Sequence, residues 1–139
     1  MAIRTQGHDM RLIDDIVWRL AQLASLPFQE RYVIGGTSVE YVLDVELLEN
    51  VDGLKYVIEK SEHRATLNRK QLAELEELFV LIENSSGEAL SAVDRAEAAT
   101  RIRESEVWKT LREKATSALR SFGISVDALT AEEVDKLSE

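Results

Sequence analysis

The chain has 139 residues, 45% hydrophobic and 31% charged, with no cysteine, one proline and six glycines. That length suits one domain, and the lack of cysteine removes disulfides, thiolate nucleophiles and thiolate metal ligands together. The net charge of −9 argues against nucleic acid, because phosphates are bound by basic residues that displace counterions.

No apolar run approaches the roughly 20 residues that a bilayer span needs, and Met1 to Gly7 lacks the apolar core of a signal peptide. The expectation is a soluble, cytoplasmic protein with no membrane partner. Met10, Ile13, Ile16, Val17, Leu20, Leu23 and Ala24 recur at spacings of three and four, the pattern of one helix face, with Arg11, Asp14, Asp15 and Gln22 turned outward. Asp9 is read as the cap of this helix and Pro27 as its end. Trp18 lies about 100° from Val17, at the margin of the stripe.

From Arg31 to Leu43 the period changes. Tyr32, Val33 and Ile34, then Val39, Tyr41, Val42 and Leu43, are strand formers separated by Gly35, Gly36, Thr37 and Ser38, which predicts two short strands joined by a turn. Asp44 is read as the cap of a helical turn through Val45, Leu47 and Leu48, broken near Asp52 and Gly53 before Leu54, Tyr56, Val57 and Ile58 resume an apolar face. Asn68 and Gln71 have capping-box spacing and open a helix through Glu83, with Leu72, Leu75, Leu78, Phe79 and Ile82 inward.

Asn84 to Gly87 reads as a loop, since these residues compete with helix through side-chain bonds or backbone freedom. Beyond it, Ser91 to Arg103 is an Ala-rich helical run with Val93, Ala96, Ala99 and Ile102 on its apolar side. Ser105 caps the next helix, whose stripe of Trp108, Leu111, Ala115, Ala118, Leu119 and Phe122 stops at Gly123. Thr130 and Glu133 repeat the capping-box spacing and start a last short helix. The expected fold is mainly α: one compact helical domain, residues 1–139, of about five or six helices with one small β-hairpin near residues 31 to 43.

Familiar catalytic and metal patterns are missing. With Gly53 at position six of a calcium loop, the first ligand position falls on Leu48, which has no oxygen to donate. His8 and His63 belong to no Glu-x-x-His or His-Glu-x-x-His spacing, and His63 beside Glu62 and Arg64 reads as a solvated helix-end residue. Gly35 and Gly36 precede no P-loop lysine, and no Gly-x-Ser-x-Gly elbow presents a serine. No metal, no cofactor and no enzymatic activity are expected. A carboxylate site assembled from distant positions, such as Glu40 and Asp44 with Glu74 or Glu77, is the enzymatic alternative.

Charge points instead to a partner. Residues 32–94 hold 13 acids and 5 bases, whereas residues 95–120 hold 7 bases and 4 acids. Tyr32 to Leu54 contains no Lys, Arg or His, and sets Glu40, Asp44, Glu46, Glu49 and Asp52 among apolar and aromatic residues. With Tyr32, Tyr41 and Tyr56 as aromatic anchors, these acids form the expected partner-binding surface, since aromatics supply buried area at interfaces and rim charges supply steering. The expected function is a small acidic protein that neutralises or regulates a basic protein partner, in the manner of bacterial immunity or antitoxin proteins that occlude a toxin domain. The competing reading is a helical structural module, a homo-oligomer joined through Trp18, Trp108 and the small-residue face of Ala96 and Ala99.

Overall fold

The computed structural model describes residues 2–35 and 43–138, with side chains from Arg11 to Leu137 among them. The helix α1 (Ala2–Ala24) stops at Ser25, whose hydroxyl accepts from the Phe28 amide and starts α2 (Leu26–Phe28) with Pro27 in its first turn. Proline is tolerated there because the first amides of a helix have no internal partner. A π-helical segment, Gln29–Ile34, follows without a break. Then come α3 (Asp44–Asp52), α4 (Leu54–Val57), α5 (Ser61–Thr66), α6 (Arg69–Ala89), α7 (Arg95–Glu104), α8 (Glu106–Arg120) and α9 (Ala131–Asp135), with a closing 3-10 turn at Lys136–Ser138.

The all-α class stands, but the predicted hairpin does not. Tyr32, Val33 and Ile34, its first arm, are helical, and no strand occurs among the described residues. The second arm and turn, including Val39, Glu40, Tyr41 and Val42, lie outside the described residues. Local strand preference is overridden by the corner before it. The buried Gln29 amide donates to the Gln22 and Leu23 carbonyls at the open end of α1, at 3.0 and 2.8 Å, so the chain is held in a turn that carries on helically. Tyr32 and Val33 then reach the core, and the Gly35 amide closes the wide turn onto the Glu30 carbonyl at 2.8 Å. A Cβ on Gly35 would sit 2.9 Å from that same oxygen, which is why glycine occupies the position.

There are also more helical segments than the five or six expected, because α2, α4, α5 and α9 are pieces of one or two turns. Asp9 lies inside α1, which begins at Ala2, and so does not cap it; the side chains of His8, Asp9 and Met10 fall outside the description. Gln22, expected outward, is buried, and its amide nitrogen has no partner among the described residues. Leu43, not Asp44, holds the cap position of α3, and the helix after Asp94 begins at Arg95, leaving Val93 86% exposed. The capping boxes at Asn68 and Thr130, the Ser105 cap and the left-handed Gly123 stop (φ 77°) are found as expected.

Buried side chains make one connected core centred on α8, which packs against α1 on one side and α6 on the other. Its Trp108, Leu111, Ala115, Ala118 and Leu119 are fully buried. The Trp108 indole N–H donates to the Ala89 carbonyl at 3.2 Å, which ties α8 to the end of α6. That bond explains a second correction: Asn84 to Gly87, expected as a loop, lie inside α6, because burial of Ile82 and Ala89 on either side outweighs the weak helix preference of Ser and Gly. Among the described residues, no helix is long and apolar enough to cross a membrane.

Gly87 is exposed, and a Cβ added there meets no atom within 4 Å. Gly87→Ala should therefore stabilise the protein by about 0.5–1 kcal/mol in denaturant melts, since alanine orders at lower entropic cost in a helix. Destabilisation would mean that residues 84–87 are not helical in solution.

Candidate functional site

Within α3, Leu47, Leu48 and Val51 occupy one face and are buried, which turns Glu46 and Glu49 to solvent and leaves Asp52 half-buried at the edge. This edge runs beside α6. Between the two helices lies an open groove of about 330 Å³, lined by Val45, Glu49, Asp52 and Lys55 on one side and Ile82, Glu83 and Ser86 on the other. Three carboxylates and one ammonium thus share a concave surface. Lys55 bonds Asp52 at 3.1 Å, and its ammonium lies 5.4 Å from the Tyr56 ring centroid, with that ring 65% exposed. The bond to Asp52 holds the Lys55 ammonium above its ordinary pKa.

Glu46 accepts a bond from the Leu43 amide at 3.3 Å, a reach back across the first turn that also places negative charge at the helix N-terminus, where it is favourable. Among the described residues, Glu46, Glu49 and Glu83 take part in no ion pair. Cations of the later helices are engaged elsewhere. Arg103 bonds Glu30 at 2.7 Å, Lys114 bonds Glu74 and Glu77 at 3.1 and 3.2 Å, and Arg101 bonds Glu97 at 2.9 Å.

The eight residues expected to bind a partner do not form one surface. Tyr32 is in the core, 4.8 Å from the Phe28 ring centroid, because the helical turn that replaces the strand points it inward. Asp44 lines a different groove, with Val33, Ile34 and the start of α7, since it stands nearly opposite Glu46 around the helix. Glu40 and Tyr41 lie outside the described residues. Of the remaining four, Glu49 and Asp52 line the groove, Glu46 stands about one helical turn before Glu49 on α3, and Tyr56 lies against the Lys55 ammonium. Glu83 and Ser86 complete the groove, a part not legible in the sequence, because they lie near the far end of α6 and the Asn84–Gly87 stretch around Ser86 has loop chemistry.

Trp108 is fully buried and so offers no oligomer contact, whereas Trp18 is half-buried at the margin of the core with its indole nitrogen covered. His63 is half-buried rather than solvated, and its Nδ1 donates to the Val57 carbonyl at 2.7 Å. Asn50 and Asp52 lie within α3 instead of a calcium loop, and among the described residues no three His, Asp or Glu side chains converge in a metal-holding group. Compared with protein-family models, with curated proteins and with solved structures, the chain matches none.

Glu74, one of two residues that could join Glu40 and Asp44 in an assembled acid site, is bonded to Lys114 and to the Ser117 hydroxyl at 3.0 Å. Burial pushes its carboxyl up, but those two bonds and the Lys114 charge outweigh it, and the group ends below its ordinary value of 4.5. A carboxyl depressed in the folded state adds stability that is complete above the unfolded value and is lost as pH falls through the folded one. Glu74→Gln should therefore cost about 1–2 kcal/mol near neutrality, with the gap to wild type closing as pH falls below 4.5 in pH-stepped urea melts. A gap unchanged across that range would show that the charge of Glu74 contributes nothing.

Proposed function

We propose that the groove between α3 and α6 docks a basic segment of a protein partner, and that the protein neutralises or regulates that partner by occupying it. The observation carrying this reading is the grouping of Glu49, Asp52 and Glu83 in one groove against Lys55 alone, with Glu46 and the exposed Tyr56 close by. A cleft lined by one sign of charge focuses its field and raises the encounter rate of an oppositely charged partner by roughly 10- to 10³-fold. Tyr56 supplies the aromatic area that converts encounter into residence, and Val45 and Ile82 supply an apolar floor. An inhibitor of the immunity or antitoxin kind has these requirements: a compact fold, a fixed acidic surface, and a basic surface on the target to cover.

The test is retention of a basic protein from cell extract on immobilised protein, with the triple variant Glu46→Gln, Glu49→Gln and Glu83→Gln as control. Gln at position 46 keeps the acceptor for the Leu43 amide, so the melting temperature should stay near that of wild type. Wild type should retain the partner at low salt and release it at high salt. The triple variant should associate about tenfold more slowly with the recovered partner and show a flatter salt dependence. Equal association rates at low salt would remove the groove from the interaction.

A further inference from the structure

A second cavity, of about 460 Å³, lies where the corner between α1 and α2 faces α8. Its character is opposite to that of the acidic groove. Lys109, Arg112, Glu113, Thr116 and Arg120 follow one another at helical spacing along a stripe about 100° wide on α8, beside the buried Trp108 and Leu119 face. The stripe brings three cations and one carboxylate to a single wall, and Asp127 from the following loop stands at its edge.

Arg112 is the unusual member. It is nine-tenths buried, and among the described residues no carboxylate lies within ion-pair distance of it. One Nη1 donates to two neutral oxygens, Gln29 Oε1 at 3.1 Å and the Ile102 carbonyl at 2.6 Å in the last turn of α7. The partial negative charge of that helix end favours a cation, yet it offsets only a fraction of a full charge. Glu30 acts on it from beyond ion-pair distance and is itself bonded to Arg103. Burial pulls the guanidinium below its ordinary pKa, though arginine keeps its proton throughout the working range. The other two cations are weakly held: Lys109 lies 3.7 Å from an exposed Glu106, and Arg120 lies 3.7 Å from an exposed Asp127.

We infer that this cavity binds a small organic phosphate, with the dianionic head group between Arg112, Lys109 and Arg120 and the organic body against the apolar wall of Pro27 and Val126. Three cations against two carboxylates leave the wall positive in a chain whose net charge is −9. Arginine is the side chain best matched to phosphate geometry, and a buried charge lacking a protein counterion gains most from an incoming one. A phosphate alone would leave most of the volume empty, so the head group should carry a body.

The experiment is an NMR titration of the 15N-labelled full chain with inorganic phosphate, phenyl phosphate and acetate in turn, at constant ionic strength. Saturable shifts should appear at the amides of residues 109–120 and 126–127, with phenyl phosphate binding more tightly than phosphate and acetate failing to saturate. Arg112 is left in place, because its bonds to Gln29 and Ile102 hold three elements together. Lys109→Ala and Arg120→Gln, at exposed positions, should each weaken phenyl phosphate about two- to fivefold, and Glu113→Gln should tighten it by a similar factor, with melting temperatures unchanged. Absence of saturation at millimolar phenyl phosphate, shifts that map elsewhere, or identical affinity in all three variants would overturn the site. Equal saturation by acetate would overturn the assignment of a phosphate.

Discussion

The packing of α8 between α1 and α6 is the contact on which the other elements depend. One face of this helix is fully buried, and its two edges carry the polar links that set the positions of its neighbours. Trp108 reaches the last turn of α6, and Arg112 reaches both the segment after α2 and the last turn of α7. Two of these bonds satisfy a backbone carbonyl near a helix end and the third satisfies the side-chain oxygen of Gln29, groups that would otherwise stay unpaired in a region that excludes water. Holding α6 in place in turn provides the surface on which α3 lies, so the acidic groove exists because α8 supports its far wall.

The same arrangement decides which charges are free. Of the lysine and arginine residues of α7 and α8, Arg101, Arg103 and Lys114 are spent on Glu97, Glu30, Glu74 and Glu77, Lys109, Arg112 and Arg120 line the cavity beside Pro27, and Arg95 lines the groove that holds Asp44. None of them reaches Glu46, Glu49 or Glu83. Exposed pairs contribute little to stability individually, so their main effect here is to sort the surface into a neutralised side and an acidic one. A chain with a net charge of −9 would otherwise be uniformly repulsive toward anions. The positive wall on α8 shows that it is not.

What could be read from the sequence was local. The caps at Asn68, Ser105 and Thr130 and the stop at Gly123 each depend on residues within a few positions, and they stand where their spacing places them. Features held by distant partners could not be read in this way. Tyr32 to Ile34 has strand-forming side chains, yet the Gln29 bond to the end of α1 and the burial of Tyr32 make it helical. Asn84 to Gly87 has loop chemistry, yet Trp108, about twenty residues on, fixes the end of that helix. The candidate site divides along the same line. Glu46, Glu49, Asp52 and Tyr56 were visible as an acidic, aromatic stretch, but Glu83 entered only through the pairing of α3 with α6, and Asp44 left because helical rotation carries it into another groove.

The proposed docking of a basic partner requires that it cover the α3 and α6 walls of the groove. The most direct measurement is the change in amide hydrogen exchange when the partner recovered from extract is added at saturating concentration. Protection should concentrate in residues 44–57 and 80–87, the two walls of the groove and the Tyr56 turn. Protection confined to α8 and the α1–α2 corner, with the α3 and α6 walls unchanged, would contradict it.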